Sequence, residues 1–245
     1  MFAIGIIPAR YASSRFPGKP LAIINGKSMI QRVYEQSMKS EMLSEIIVAT
    51  DDNSIKNHVT KFKGKAIMTS EFHKSGTERC NEVVKMLYGT NMPDVVVNIQ
   101  GDEPYINPSQ IDKIVSCFEN QNVQIATLAK EIISTEVLFN PNVVKVVFGK
   151  DKKAIYFSRS PIPYLRGKES TDWINETEFY KHIGIYAYRP NILKSICELN
   201  PSKLEKAESL EQLRWLENGY SIQVEITDFE SYSVDIPEDI LKFKG

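Results

Sequence analysis

The chain has 245 residues, 42% of them hydrophobic and 25% charged, and its 30 Lys plus Arg against 31 Asp plus Glu leave a formal net charge of -1. Those proportions belong to a globular chain and exclude a disordered or collagen-like one. A near-neutral balance also supplies no whole-molecule field to hold nucleic acid or an anionic membrane, so any phosphate chemistry must come from local clusters.

Residues 2–9 open the chain as a continuous apolar run, the pattern of a strand buried on both faces of a parallel sheet. The run is shorter than the roughly 20 residues of a membrane span and lacks a signal-peptide layout, so the mature protein is expected to begin at or near Met1. Helix is predicted over 28–39, strand over 46–49, helix over 53–61, strand over 66–68, helix over 77–88, strand over 95–99 and helix over 108–120. In the third helix Cys80, Val83, Val84, Leu87 and Tyr88 recur at helical spacing and form one apolar stripe. Strands over 125–128 and 143–148 follow. This alternation predicts an α/β fold, a mostly parallel sheet with helices on both faces.

Beyond residue 150 the rhythm changes. Strands over 154–158 and 182–189 flank a long polar and aromatic stretch, 159–181, which carries Pro161, Pro163, Tyr164, Trp173 and Phe179. Such stretches inside compact domains are usually functional or interaction-bearing, and this one is read as a flap or dimer arm. An amphipathic helix over 204–217, a strand over 222–226 and a short helix over 237–243 complete the chain. No repeat, low-complexity tract or linker is visible, which favours one domain, 1–245, with an elaborated second half. Cys80, Cys117 and Cys197 are an odd number of cysteines without a CxxC or a nearby metal-spaced His, pointing to reduced thiols and a cytoplasmic protein.

Ligands of open α/β sheets bind beyond the carboxyl ends of the strands. The first strand runs into a segment with Arg10, Arg15 and Lys19 among Ser13, Ser14 and Gly18. Small residues let backbone amides approach a ligand, and clustered cations neutralise polyphosphate, Arg with a forked geometry. A lone cation would more often be a solvated surface charge. Gly26-Lys27-Ser28 resembles the end of a P-loop, but Leu21 stands where that motif needs its first glycine. No GxGxxG is present, which argues against a nicotinamide or flavin enzyme.

The fourth strand delivers Asn98-Ile99-Gln100-Gly101-Asp102-Glu103-Pro104. Asp102 and Glu103 offer hard oxygen ligands, and Mg²⁺ needs only one or two protein carboxylates because water and phosphate oxygens fill its shell. The alternative is an Asx-type turn capping the next helix. A second acid is available late in the chain at Asp235, although Asp235 with Glu238 reads equally as a capping box for the last helix.

The blocks 7–10 and 17–21, Ala49-Thr50-Asp51, 73–79, 98–104, Tyr156-Phe157-Ser158-Arg159 with Ile162-Pro163, 182–186, 210–214 and 234–239 together resemble the 3-deoxy-manno-octulosonate cytidylyltransferases, or CMP-Kdo synthetases. The resemblance implies a Rossmann-like nucleotidyltransferase fold and a Mg²⁺-dependent reaction of CTP with 3-deoxy-D-manno-octulosonate (Kdo), giving CMP-Kdo and pyrophosphate for lipopolysaccharide synthesis. It also implies a cytoplasmic homodimer with no nucleic-acid or membrane partner. A neighbouring specificity, for 8-amino-Kdo or a sialic acid, and a nucleotide-binding module without turnover are the competing readings. Carried over by position, the pattern implies Pro8 and Ala9 among the substrate-binding residues and Arg10, Arg15 and Lys19 at the phosphates. Ser75, Gly76, Arg79 and Gln100 fall near the cytidine, and Arg159, His182, Tyr186, Glu211 and Gln212 near the sugar acid. Arg10, Arg15, Lys19, Asp102 and Asp235 are the implied catalytic set, with Asp102 and Asp235 as metal ligands. Without the resemblance, His182 would read as a satisfied core histidine, Tyr186 as core, and Glu211 and Gln212 as a solvated helix face. Lys74 and Ser233 depart from the family pattern, Ser233 at a position where Gly is expected.

Overall fold

A computed structural model describes residues 1–12, 16–89 and 91–243. The chain divides into two compact units, Met1–Ser116 with Ala187–Cys197 and Ser231–Gly245, and Cys117–Tyr186 with Glu198–Glu230.

The first unit opens with β1 (Ala3–Ala9), in which Ala3, Ile4, Ile6 and Ile7 have no exposed surface. β2 (Ile23–Ile24) and β3 (Lys27–Ser28) form a hairpin that was not predicted. Its two loop residues, Asn25 and Gly26, have φ of 45° and 79°, as the favoured two-residue hairpin turns demand. Ser28 then caps α1 (Met29–Ser37), its hydroxyl accepting the Gln31 N–H at 3.2 Å. β4 (Glu45–Thr50) is followed by α2 (Asn53–Lys61), which Asp52 starts by accepting the N–H groups of Ser54 and Ile55. β5 (Ala66–Met68), α3 (Gly76–Tyr88), β6 (Val95–Asn98) and α4 (Pro108–Ser116) complete the alternation. The strands pair in the order β6-β1-β4-β5, and every pairing is parallel. Consequently the carboxyl ends of β1 and β6 lie side by side, Ile6 opposite Asn98. The near-continuous burial of these strands is the cause of their unbroken apolar runs.

The second unit begins with β7 (Ile125–Ile132) and α5 (Thr135–Phe139), then the antiparallel pair β8 (Lys145–Phe148) and β9 (Ala154–Ser158). A short α6 (Trp173–Glu176) precedes β10 (Phe179–Tyr188), whose last two residues belong with the first unit, as does α7 (Pro190–Cys197). α8 (Lys203–Glu208), α9 (Glu211–Glu217) and β11 (Ile222–Ile226) follow. β11 pairs with β7 in parallel, whereas β8 is antiparallel to both β9 and β10. The predicted single helix over 204–217 is therefore two. Ser209 takes a left-handed conformation, φ 54° and ψ 48°, and Leu210 is extended, because burying Leu210 at 6% exposure turns the chain out of the helical line. Stretch 159–181 lies wholly in this unit. It is pinned by Trp173, which packs with Ile132, Leu138 and Phe179 in a satellite core, its ring parallel to that of Phe179 at 6.2 Å.

Candidate active site

In the first unit the site grows from the adjoining ends of β1 and β6. Gly101 permits that closeness: a Cβ there would stand 2.7 Å from the Pro8 carbonyl oxygen, so no larger residue fits without moving backbone. Pro8 is half-buried, Ala9 is buried and Arg10 is exposed just beyond the strand. Arg15, together with Ser13 and Ser14, lies outside the described residues. The loop closes where the Gly18 N–H donates to the Tyr11 carbonyl at 3.0 Å. Gly18 has a φ of 70°, which glycine adopts at no steric cost. A 3-10 turn, Lys19–Leu21, follows and aims the Lys19 side chain inward.

Lys19 joins three distant parts of the sequence. Its ammonium donates to Asp102 Oδ2 at 2.7 Å and to the Val234 carbonyl at 2.9 Å. The Val234 N–H in turn donates to the Asp102 carbonyl at 2.9 Å. Val234 is fully buried against Ile24 and Met29, which anchors the chain's last segment there and sets Asp235 beside Asp102 in the backbone trace. The expected capping box at Asp235 takes another form. The Asp239 carboxylate accepts the N–H groups of Asp235 and Ile236 at 2.8 and 3.1 Å, so Asp239 organises this turn.

The donor set at this point suits a hard cation. A half-exposed carboxylate, a backbone carbonyl and a second acid one residue away are the oxygens that Mg²⁺ takes, and an ammonium already bridges two of them. Glu103, the other acid of the motif, is buried at 6% exposure.

Three of the residues expected near the cytidine have structural duties. Ser75 caps α3 by accepting the Glu78 N–H at 3.3 Å, and Gly76 abuts the Pro8 ring and the Asn98 amide. Arg79, 3% exposed, donates to Asp51 Oδ2 at 2.7 Å and to the Thr69 hydroxyl. Its guanidinium thus ties α3 to the segment after β4, and the Ala49-Thr50-Asp51 block acquires a physical reason, because a buried guanidinium needs its counter-charge. His73 braces the preceding loop. Its Nε2 is 2.6 Å from Glu82, whose carboxylate also accepts the Ser70 N–H. Gln100 stands two residues past β6, half-buried.

The second unit assembles the other expected group. Arg159 follows β9 and is fixed by Glu208, a residue that sequence reading missed. The Glu208 carboxylate accepts the Ser158 hydroxyl at 2.7 Å and the Arg159 N–H at 2.9 Å, while Arg159 Nε donates to the Glu208 carbonyl at 2.8 Å. Lys145, fully buried within β8, donates to the carbonyls of Asn140, Val143 and Arg159. Burial pushes its pKa down. A cation within a run of valines gives no pattern signal, but a strand lysine flanked by apolar residues on both sides is the clue that was available.

His182 is half-buried on β10, its Nε2 2.9 Å from the Thr127 hydroxyl and its ring edge-on to Phe157 at 5.2 Å. Burial among these groups pushes its pKa down to about 3, so the ring is neutral at physiological pH. Tyr186, 7% exposed, packs against His182 and Trp215, and burial followed by the charge of Glu211 holds its phenol well above the ordinary range. Glu211 accepts from Arg214 Nη2 at 2.9 Å, and Gln212 is 5% exposed. The solvated face considered for Glu211 and Gln212 therefore does not hold for Gln212, which this helix turns inward with Leu213, Arg214 and Trp215, while Glu211 is half-buried.

The chain matches a family model described as cytidylyltransferase over residues 4–226. It is 58% identical to a 3-deoxy-manno-octulosonate cytidylyltransferase of Parabacteroides distasonis, covering 98% of this chain and 95% of that one. An 8-amino-3,8-dideoxy-manno-octulosonate cytidylyltransferase of Shewanella frigidimarina is 48% identical, over 97% of this chain and 95% of its own. The fold is similar to a solved CMP:2-keto-3-deoxy-manno-octonic acid synthetase complexed with CTP, with TM-score 0.91 and 41% identity over 99% and 96% of the two chains.

Proposed function

The chain belongs to the 3-deoxy-manno-octulosonate cytidylyltransferases, and from that premise we propose that it converts CTP and Kdo to CMP-Kdo and pyrophosphate for lipopolysaccharide synthesis. The anomeric hydroxyl of Kdo attacks the α-phosphorus, one P–O bond forms, and the bond to the departing pyrophosphate breaks. Two anions must meet, and at 4 Å even one unit pair repels by about 4 kcal/mol at an effective dielectric of 20.

The observation that carries this reading is the convergence of Lys19, Asp102 and the Val234–Asp235 segment. An amino-terminal cation, an acid after β6 and the backbone of the segment that carries Asp235 meet at one point, which a module that merely held a nucleotide would not need. Arg10, Arg15 and Lys19 hold the phosphates and stabilise charge on the leaving pyrophosphate. Asp102 and Asp235 would hold Mg²⁺, which would supply a Lewis acid able to lower the pKa of the sugar hydroxyl. Pro8, Ala9, Ser75, Gly76 and Gln100 line the cytidine site, and Arg79 acts there by fixing the loop geometry through Asp51 and Thr69. Arg159 receives the sugar carboxylate, with Glu208 setting its pitch, and His182, Tyr186, Glu211 and Gln212 contact the sugar.

The enzyme works in the cytoplasm as a homodimer, with the aromatic stretch 159–181 as its arm. Among the described residues no helix is long and apolar enough to cross a membrane. Pyrophosphate release from CTP plus Kdo, with and without EDTA, tests the proposal: release that EDTA abolishes is expected, and its absence with metal present would refute turnover. Release that persists in EDTA would refute the metal role. Competition with 8-amino-Kdo distinguishes the two sugar acids named among the relatives.

A further inference from the structure

Thr127 was not among the expected site residues, yet it sits at the middle of the second unit's polar cluster. It lies on β7 with no exposed surface. Its oxygen is 2.9 Å from His182 Nε2, 2.8 Å from the Ile185 carbonyl and 3.2 Å from the Ile183 carbonyl.

The donors can be counted. A threonine hydroxyl has one proton to give and two lone pairs to receive with. Carbonyl oxygens only accept, whereas an imidazole nitrogen or a phenol can also donate. The Thr127 proton goes to the Ile185 carbonyl, the shorter contact, which leaves the Thr127 oxygen to accept, and the ring nitrogen donates to it. The ring is neutral, so it carries one proton, and that proton is then on Nε2. Nδ1 keeps its lone pair and, among the described residues, has no hydrogen-bond partner.

We propose that Thr127 is a positioning residue that holds His182 as its Nε2–H tautomer, so that Nδ1 stands ready to accept a hydrogen bond from a hydroxyl of the sugar acid. The proposal rests on the reading of the second unit as the sugar-acid site. It explains why a polar residue occupies a fully buried position within the apolar, buried part of its strand, Ile125–Ala129. With valine at that position the Ile185 carbonyl loses a donor and the ring loses the partner that selects its tautomer.

The direct test uses the wild-type protein labelled with ¹⁵N in its histidine rings. Only three histidines are present, His58, His73 and His182, and H182Q identifies the third set of signals. A long-range ¹H–¹⁵N spectrum at pH 7 is expected to show a protonated, pyrrole-type Nε2 and an unprotonated Nδ1 for His182. The opposite tautomer, or an even mixture, overturns the proposal. T127V should raise KM for Kdo about tenfold, the worth of one hydrogen bond, and leave KM for CTP unchanged. T127S should keep both constants and the tautomer. Unchanged KM for Kdo in a folded T127V overturns the proposal, and if T127V does not fold, the wild-type spectrum and T127S decide alone. Should the wild type fail to consume Kdo, the assigned function falls, while the spectrum still reads the tautomer by itself.

Discussion

Replacing Asp102 with Asn removes one charge and almost no volume, which makes it the sharpest probe of the Lys19 junction. The Asp102 carboxylate lies 2.7 Å from the Lys19 ammonium, with side-chain exposures of 27% and 16%. At that separation the bare attraction is about 6 kcal/mol at an effective dielectric of 20, but partial exposure and the cost of desolvating both ions offset most of it. The Asn oxygen still accepts from Lys19, and the Val234 N–H still donates to the backbone carbonyl of residue 102. The fold should therefore lose only about 1 kcal/mol. On the proposed metal role of Asp102, turnover should fall at least about a hundredfold, about 2.7 kcal/mol of transition-state stabilisation, because a neutral amide is a poor ligand for a divalent cation. Pyrophosphate release read beside thermal unfolding separates the two effects. A D102N variant that turns over at close to the normal rate would remove Asp102 from the reacting centre. One that is inactive only because it is unfolded would make the residue structural.

Further outcomes follow from the partners described. R79M leaves Asp51 half-buried without its counter-charge and should cost about 3 kcal/mol, measured as a lower urea midpoint, with D51N in the same chain restoring part of the loss; an R79M midpoint equal to wild type would contradict the buried pair. His182 has a folded pKa of about 3 against an ordinary 6.5, so below pH 6.5 the unfolded chain binds the extra proton and the folded one does not. Stability from this ring is thus complete above pH 6.5 and declines as pH falls toward 3, by at most about 1.4 kcal/mol per pH unit. H182Q should lose less stability than wild type between pH 7 and pH 5, and equal losses would show that the ring titrates normally when folded. S209G relieves a left-handed, non-glycine φ of 54° and should raise stability by roughly 0.5–1 kcal/mol, read as a higher urea midpoint, whereas a destabilised variant would mean that the Ser209 side chain supports the break between α8 and α9.

The first half of the fold was legible because parallel strands buried on both faces must be apolar throughout, and helices that cover them must carry one stripe. α2 and β5 sit where their patterns predict, as do β9 and β11. Local pattern misled where one buried residue outweighed it. Leu210 continues the apolar stripe of 204–217, yet its burial needs the break at Ser209. The Asn25-Gly26 hairpin signal was present but was overshadowed by the adjacent P-loop resemblance. The chemistry was legible only in part. Asp102 and Lys19 stand out by type and place, whereas Glu208, Lys145 and Thr127 act by pairing with residues 49, 14 and 55 positions away. Pairing across such separations leaves no periodic trace. Arg79 carries the opposite lesson, since its charge is consumed by Asp51 and Thr69 inside the protein.

The tie between Lys19 and Val234 also bears on the order of folding. It joins positions 215 apart, and contacts of such separation form slowly because loop-closure entropy must be met first. The parallel strands, whose partners lie nearer in sequence, can pair before this centre closes. Proteolytic removal of residues 231–243 would leave a chain that keeps its parallel strands but can never finish the centre.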